Sequence, residues 1–348
     1  MTMDMSGTLL HAVDLAARRL LGLLLAASAG AIPRSAFAQA DGLTGTLIVT
    51  NKAPSTATIV DLASGRTLAT LPTGEGPHEV VVSSDGRLAV VTDYGGQSGR
   101  TLTVIDVSAL RVVRTIDLGD YRRPHGMVFL RGDSLVAVTS EASRHLVVVN
   151  VVAGAVLYAI PTGQNGSHMV GVVADGSRAF TGNIGSNTVS ELNLLTRRLV
   201  RSLDVPAQPE AIGVTPDGSE VWVGSNATGK VSVIDPATST VTAAAEGFGW
   251  PYRVLFAPDL VTVLLPDLKR EELRILDRAS RRELARLSFP GGAPQGITVT
   301  PDSRFAMASL SAQARVAIID LRKRVVVGHV AAGDTPDGVA YTARVLAR

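Results

Sequence analysis

Short apolar stretches alternate with turn residues from about residue 45 to the end of the chain. In one unit, apolar and β-branched residues dominate 211–215, 220–224, 230–235 and 240–245, and Pro, Asp, Gly and Asn stand between them. Stretches of roughly five residues bounded by turn residues are typical of strands. No helical periodicity of 3.6 residues follows residue 40. The pattern predicts an all-β protein built from four-stranded units.

The unit recurs seven times along the chain. A repeat of about 43 residues with four strands has the size of a propeller blade, so we predict a seven-bladed β-propeller. The predicted propeller begins with second, third and fourth strands near 46–50, 58–61 and 67–71 and ends with a first strand near 338–341. The C-terminal strand should therefore complete the N-terminal blade, a 3+1 closure. The first strands follow these anchor residues: Pro77, Pro124, Ser167, Pro209, Pro251, Pro294 and Pro336.

Two sets of polar residues have a predicted structural role. An Asp or Asn ends the third strand of every unit, as in Asp106 and Asn150, and should accept hydrogen bonds from the backbone of the following turn. The pairs Asp85-Gly86, Asp175-Gly176 and Asp217-Gly218 predict two-residue hairpin turns, since both residues tolerate positive φ.

The first 40 residues differ from the rest of the chain. Arg18 and Arg19 precede an apolar run at 20–32, and a small-residue stretch ends in Ala36-Phe37-Ala38. These are the parts of a signal peptide over residues 1–40, with cleavage near 38–40. The run falls short of the roughly 20 residues that cross a bilayer, so a retained membrane anchor is the less favoured alternative.

The signal peptide predicts a periplasmic or secreted protein. Export would follow the Sec route or, because the paired arginines resemble a twin-arginine signal, the Tat route. After cleavage we expect a single propeller domain over residues 41–348 that is monomeric and free of the membrane.

Composition excludes several function classes. The formal net charge is only +2, and no run of Lys or Arg marks a phosphate-binding stripe, so nucleic acid is not an expected partner. The chain has no cysteine, which excludes disulfides and the C-x-x-C-H attachment of c-type haem. The motifs of serine hydrolases, P-loop proteins and zincins are also missing.

A family resemblance follows from the repeat. The segments PEAIGVTPDGSEVWVGSN (209–226) and GKVSVIDPATSTV (229–241) resemble the YVTN repeat of YncE-like bacterial β-propellers, which are related to propeller lactonases. The resemblance covers residues 45–342 and implies the propeller fold. It implies little about activity, because relatives include binding proteins, hydrolases, lyases and oxidoreductase subunits.

One position of the repeat carries most of the candidate chemistry. The first strand of a blade lines the central channel, so the residue after each anchor should lie at the channel mouth. Three histidines with a carboxylate form a ligand set for a divalent metal such as Zn²⁺, Mn²⁺ or Ca²⁺. Alternatively, the shared histidine is a relic of repeat duplication that bonds a loop carbonyl. We call this set the ring position: His78, His125, His168, Glu210, Tyr252, Gln295 and Asp337.

Loops between second and third strands should open on the same face. We expect His78, His125 and His168 to hold the metal. Glu141, Glu210 and Asp93 are the candidates for a general base or for a carboxylate that orients a histidine. Arg253, one residue beyond the ring position, is a candidate clamp for an anion. The expected ligand contacts are Arg253, Tyr94, Asn183, Tyr252, Gln295 and Asp337.

The sequence therefore predicts an exported propeller that binds a small ligand at its channel mouth, through a divalent metal held by histidines. If the protein is an enzyme, metal-dependent hydrolysis of a lactone-like substrate, or lyase chemistry, fits this ligand set. The alternative is a non-catalytic scaffold or recognition module for another exported protein.

Overall fold

The computed structural model describes residues 40–346 of the chain. The predicted signal peptide lies outside the described residues, apart from Ala40 at its end. Within the described part, 28 strands form seven antiparallel sheets of four strands each, which confirms the predicted seven-bladed propeller. No helix in this part is long and apolar enough to span a bilayer.

Each blade runs from an inner first strand to an outer fourth strand. Blade 1 contains β28 (Pro336–Thr342), β1 (Thr46–Asn51), β2 (Thr56–Asp61) and β3 (Arg66–Pro72). Blade 2 contains β4 (Pro77–Val82), β5 (Leu88–Asp93), β6 (Thr101–Asp106) and β7 (Arg111–Asp117). Blade 3 contains β8 (Pro124–Phe129), β9 (Leu135–Ser140), β10 (His145–Asn150) and β11 (Ala155–Pro161). Blade 4 contains β12 (Ser167–Val172), β13 (Arg178–Asn183), β14 (Thr188–Asn193) and β15 (Arg198–Asp204).

The other three blades follow the same order. Blade 5 contains β16 (Pro209–Val214), β17 (Val221–Ser225), β18 (Lys230–Asp235) and β19 (Thr240–Ala245). Blade 6 contains β20 (Leu255–Phe256), β21 (Thr262–Asp267), β22 (Glu272–Asp277) and β23 (Glu283–Ser288). Blade 7 contains β24 (Pro294–Val299), β25 (Phe305–Leu310), β26 (Arg315–Asp320) and β27 (Val325–Ala331), with a 3-10 turn at Ser311–Gln313.

The C-terminal strand closes the ring. β28 pairs antiparallel with β1, with Thr342 opposite Thr46 and Val339 opposite Val49. This confirms the predicted 3+1 closure, in which the first blade takes strands from both ends of the propeller. A closed ring leaves no unpaired inner strand, which removes an exposed edge.

The core lies between neighbouring blades. Successive residues of a strand point to opposite faces of its sheet, so one strand contributes to the interfaces on both sides. Ile48 and Ile59 of blade 1 pack with Val91 and Ile105 of blade 2 in one buried cluster. Equivalent clusters join the other blades, which explains why second and third strands are apolar on both faces.

The turns match one prediction and correct another. Asn150 Oδ1 accepts hydrogen bonds from the backbone N–H groups of Val152 (3.0 Å) and Ala153 (2.8 Å), and the other six third-strand Asp or Asn residues cap their turns similarly.

The prediction of two-residue hairpins was wrong. Residues 83–87 separate β4 from β5, only Gly86 of the Asp85-Gly86 pair has positive φ, and the Asp85 carboxylate instead accepts the N–H of Arg87 at 2.9 Å.

An extra residue in each inner strand aims side chains into the channel. In blade 2, Pro77 pairs with Asp93 and Val80 with Val91, so two residues, His78 and Glu79, oppose Thr92 alone. The same one-residue excess follows the anchor in all seven described blades. Such a bulge bends the strand and redirects its side chains. The ring position is therefore defined by a backbone irregularity that the repeat preserves.

Buried hydroxyl groups attach each bulge to the next blade. Thr50 Oγ1 donates to the carbonyl oxygen of His78 at 2.9 Å, Thr139 Oγ1 to that of His168 at 2.5 Å, and Ser309 Oγ to that of Asp337 at 2.6 Å. Each donor lies in the second strand of the preceding blade. Because a buried carbonyl without a donor is costly, these bonds hold the ring residues in place.

Glycines allow the inner strands to approach closely. A Cβ atom on Gly126 would lie 2.6 Å from Cα of Met169 and 2.7 Å from the carbonyl oxygen of His168 in the neighbouring strand. A Cβ on Gly338 would likewise lie 3.0 Å from the backbone nitrogen of Val80. Only glycine fits such contacts, so the side chains of the ring position share a narrow space.

We predict that Gly126→Ala lowers the free energy of unfolding by about 1–3 kcal/mol or more, because the methyl group must push apart two inner strands. Gly96→Ala is the matched control, since a methyl group added at Gly96 would have no heavy atom within 4 Å and the residue has no positive φ. Urea denaturation followed by circular dichroism measures both. Equal unfolding midpoints for the two variants would contradict the close-approach interpretation.

Candidate functional site

The three ring histidines come together, as the sequence predicted. His78 Nε2 lies 3.2 Å from His125 Nε2, and the ring centroids of His125 and His168 are 3.5 Å apart. All three side chains are buried, His125 completely. Neighbouring inner strands each contribute one imidazole, so the cluster follows directly from the bulges of blades 2, 3 and 4.

A carboxylate lies behind His78. Asp337 Oδ2 is 3.0 Å from His78 Nδ1, and Asp337 also contacts Lys52 Nζ at 3.2 Å and the Tyr252 hydroxyl at 3.3 Å. Asp337 has no exposed surface, whereas the Lys52 side chain is 32% exposed and lies at the mouth. A carboxylate beside Nδ1 favours the tautomer with its proton there, which leaves the lone pair of Nε2 facing His125.

His168 has its own carboxylate. Glu141 Oε2 accepts a hydrogen bond from His168 Nδ1 at 3.0 Å and another from the Tyr94 hydroxyl at 2.9 Å. The Tyr94 ring stands edge-on to the rings of His78 and His125, with centroids 5.2 Å away in both cases, and Arg123 lies over its other side. Tyr94 therefore covers the histidine cluster and links it to Glu141.

Glu210 closes the other side of His168. Its Oε1 lies 3.8 Å from His168 Nε2, and its Oε2 accepts hydrogen bonds from Trp250 Nε1 (2.9 Å) and from the Asn226 side chain. Trp250 is half-buried and therefore lines the mouth, while the buried Asn226 Oδ1 has no hydrogen-bond partner among the described residues.

An ion pair crosses the channel from blade 6 to blade 2. The guanidinium of Arg253 contacts Glu79 Oε1, donates to the carbonyl oxygen of Tyr252 at 2.7 Å and lies over the Tyr252 ring at 4.3 Å. Arg253 is thus buried and already paired within the protein, rather than open to a ligand as the sequence suggested.

Burial controls the charge of the histidines. Desolvation lowers the pKa of His78 to about 3, assisted by Lys52 and Arg253 and opposed by Asp337. Desolvation and the neighbouring imidazoles also place the pKa of His125 well below its ordinary value. Both rings are therefore neutral at pH 7 and have a nitrogen lone pair, which is the form that binds metals.

The pKa values of Glu141 and the Tyr252 hydroxyl, which lie around the histidines, shift in opposite directions. Burial opposes ionisation of Glu141, but its hydrogen bond to His168 and the charge of Arg123 outweigh that effect and lower its pKa. Burial, together with Asp337, raises the pKa of the Tyr252 hydroxyl well above its ordinary value, so this group stays protonated and donates.

Two predicted site residues have other partners. Asp93 accepts hydrogen bonds from the hydroxyls of Thr101 (2.7 Å) and Thr103 (2.9 Å) in the next strand of its own blade, and burial raises its pKa to about 6. Asn183 bonds the corresponding hydroxyls of Thr188 and Ser190. Both end a second strand and tie it to the third, so we leave them out of the candidate site.

Gln295 completes the ring position. Its side chain is partly buried, and its Oε1 atom is buried without a hydrogen-bond partner among the described residues. The Nδ1 atom of His125 is in the same state, and so is that of His78, whose 3.0 Å contact with Asp337 lacks hydrogen-bond geometry. Unpartnered buried polar atoms are uncommon, and one explanation is a ligand or ion that supplies the missing partner.

One compact metal-ligand set is present among the described residues. Single ligand atoms of His78, Glu79 and His125 lie within 4.8 Å of one another. The third histidine, His168, stacks beside this set and is held by Glu141 and Glu210. The structure thus brings the predicted histidines together, but the carboxylate that shares one ligand set with two of them is Glu79 rather than Glu141 or Glu210.

Sequence reasoning missed Glu79 and Lys52. A signal for Glu79 existed, because it occupies the same repeat position as Arg253, one residue beyond the ring position. The other five blades have Gly, Met or Ala there, and the two charged residues form the ion pair across the channel. Lys52 follows a second-strand terminus in a variable loop, and no comparable pattern marks it.

Three cavities of the described chain lie away from the ring position. Cavities of about 330, 400 and 350 Å³ are lined by residues such as Val82, Phe129 and Val254 and include no ring-position residue. Their walls are mostly apolar and lack the clustered histidines and carboxylates, so the candidate chemistry lies at the mouth.

We predict that stability falls as the pH drops below about 6.5 in the presence of a chelator. Unfolded histidine takes up a proton near 6.5, but His78 does so only near pH 3 in the folded protein, so protons favour the unfolded chain between these values. Each such histidine contributes a slope of roughly 1.4 kcal/mol per pH unit. His125→Gln should therefore have a shallower slope between pH 6 and 4.5, measured by urea unfolding. The difference in the free energy of unfolding between wild type and His125→Gln at pH 8 measures the packing that the substitution removes. Identical slopes for the two proteins between pH 6 and 4.5 would refute this account.

Comparisons with known proteins agree on the fold. The profile of the YNCE-like beta-propeller family matches residues 22–134. A search of curated proteins found no significant match. Two similar solved structures are hydrazine synthase of Kuenenia stuttgartiensis (TM-score 0.69, 19% identity, 79% of this chain and 92% of that one) and a functionally unknown protein of Desulfotomaculum acetoxidans (TM-score 0.71, 14% identity, 86% and 99%). Such identities establish a common fold alone. The chain is therefore a seven-bladed β-propeller, and its N-terminal part matches the YNCE-like family.

Proposed function

We propose that this protein is an exported propeller that binds a divalent metal at the channel mouth and, through it, a small anionic or lactone-like ligand. The observation that carries the proposal is the pair of facing imidazoles, His78 and His125, with Nε2 atoms 3.2 Å apart, beside the Glu79 carboxylate. Two neutral imidazoles and a carboxylate are a common set for Zn²⁺ and are also suited to Mn²⁺.

The surroundings of the histidines support a metal ligand role. Asp337 behind His78 and Glu141 behind His168 are the carboxylates that typically orient metal-binding imidazoles. The hydrogen bond to Glu141 places the proton of His168 on Nδ1, and the Asp337 carboxylate beside His78 favours the same tautomer, which leaves a lone pair on each Nε2 atom. A structural histidine left by repeat duplication would not require such a carboxylate, and two of the three histidines have one.

The same residues suit hydrolysis or a lyase reaction. A bound divalent metal would polarise a carbonyl oxygen or lower the pKa of a water molecule. Glu141, held ionised by His168 and Arg123, would accept a proton, and Lys52 at the mouth would attract an anionic substrate. Glu210, with Trp250 and Asn226, would shape the wall on the far side of His168.

A non-catalytic role is the second candidate. The Arg253–Glu79 and Tyr252–Asp337 contacts pair four buried polar side chains of the mouth within the protein. A rigid, internally paired face fits a recognition module that contacts another exported protein through its loops. Metal content separates the two candidates directly.

We expect the purified protein to bind Zn²⁺ or Mn²⁺ in about a 1:1 ratio and to melt at a higher temperature when the ion is added, because a ligand of the native state stabilises it. His125→Ala should abolish both effects, and Asp337→Asn should weaken binding about 10- to 100-fold by releasing His78. His145→Ala, a partly buried histidine outside the ring position, is the matched control.

Elemental analysis and differential scanning fluorimetry measure these outcomes. Wild-type protein that neither contains a metal nor responds to Zn²⁺, Mn²⁺ or Ca²⁺ would refute the metal site and favour the recognition module. If the metal is bound, a panel of lactones and carboxylate esters tests turnover.

A further inference from the structure

We infer that Arg253 is a built-in competitor of the metal ion: in the metal-free protein it occupies the Glu79 carboxylate, and metal binding releases it to take an anion. This inference rests on the proposed metal site and adds how that site is regulated. Arg253 would thus have two successive partners within the same channel, first Glu79 and then the anion.

The position of the ion pair is the first observation. Arg253 belongs to blade 6 and Glu79 to blade 2, so blades 7 and 1 lie between them around the ring. Their side chains are only 8% and 13% exposed. A contact across the whole channel is not part of the blade-to-blade packing that the repeat preserves, and the other five blades have no charge at this position.

Glu79 is shared between two potential partners. The same Oε1 atom that contacts Arg253 lies 3.4 Å from His78 Nδ1, and Glu79 belongs to the compact ligand set with His78 and His125. A guanidinium and a divalent ion repel each other at such distances in a buried site. One carboxylate therefore cannot serve both cations at full strength.

Arg253 has few other attachments. Apart from Glu79, its polar contact within the described part of the chain is the carbonyl oxygen of the adjacent Tyr252, and its guanidinium stacks on the Tyr252 ring. Its backbone lies in residues 252–254, which fall between the isolated Pro251–Asp267 bridge and the short strand β20, whereas the other inner strands run for six or seven residues. The segment that holds Arg253 thus has the fewest paired residues of the inner strands in the described blades.

Blade 6 has this irregularity for an identifiable reason. Its second strand contains Pro266 where β1, β5 and β9 have a buried threonine. Proline has no N–H and no hydroxyl, so β21 offers only the Pro266 carbonyl, which accepts the Tyr252 N–H at 2.9 Å. Once free of Glu79, the guanidinium would remain at the channel mouth, where its planar fork matches a carboxylate or phosphate.

Zinc affinity, measured by competition with a chromophoric chelator, tests the inference. We expect Arg253→Met to bind Zn²⁺ about tenfold more tightly than wild type, because a competing cation has been removed. Glu79→Gln should weaken binding. In the Glu79→Gln background, Arg253→Met should bring no gain, since competition for that carboxylate no longer exists. A gain that persists there would indicate general charge repulsion and overturn the inference.

Arg274→Met is the matched control. Arg274 is also a buried arginine of blade 6, paired with Glu283 at 2.6 Å and stacked on Phe248, but it lies away from the ring position. Its zinc affinity should equal that of wild type. If Arg253→Met does not fold, Arg253→Lys replaces it, because the single ammonium nitrogen cannot reproduce the two guanidinium contacts with Glu79 and the Tyr252 carbonyl and should raise zinc affinity several-fold.

The dependence of zinc binding on an anion provides a second readout. Acetate should strengthen zinc binding by wild type and leave Arg253→Met unaffected, since the released guanidinium is the anion's partner. Equal zinc affinity and equal acetate dependence of wild type and Arg253→Met would overturn this inference alone. Failure of every variant with intact histidines to bind zinc would overturn the metal site and this inference with it.

Discussion

The close approach of the seven inner strands is the constraint on which the candidate site depends. Gly126 and Gly338 allow neighbouring strands to touch, and the bulge after each anchor turns the ring residue toward the axis. Hydroxyls of Thr50, Thr139 and Ser309 then fasten three of these residues to the preceding blades. Side chains separated by more than 40 residues in sequence are thereby placed in contact within a space that excludes most water.

Burial at the mouth decides how the polar side chains behave. An isolated charge in such a place is costly, so the carboxylates have acquired partners. Asp337 has Lys52, Glu79 has Arg253, and Glu141 has Arg123 and His168. The imidazoles respond to the same desolvation by remaining neutral. A set of neutral histidines among paired charges is suited to metal binding. The same paired side chains also crowd the mouth and make it narrow.

Regularity in the repeat separates structural from candidate functional residues. The Asp or Asn that ends each third strand caps a turn in every blade, as the sequence predicted. Asp93 and Asn183 belong to another nearly regular position, the end of the second strand, where their partners are hydroxyls of the third strand. They were assigned to the site because their loops open on the correct face. The position directly after the anchor, where residue types vary between blades, contains the histidine cluster.

The sequence by itself determined the seven blades, the 3+1 closure and the identity of the ring position. This was possible because strands of period two and a repeat of constant length are local properties that the alternation of residues records. It could not determine which side chains meet across the channel. The pairing of Arg253 with Glu79, the place of Asp337 behind His78 and the withdrawal of Asp93 into its blade depend on how seven blades curve around one axis. That curvature follows from packing between sheets, and only the tertiary structure contains it.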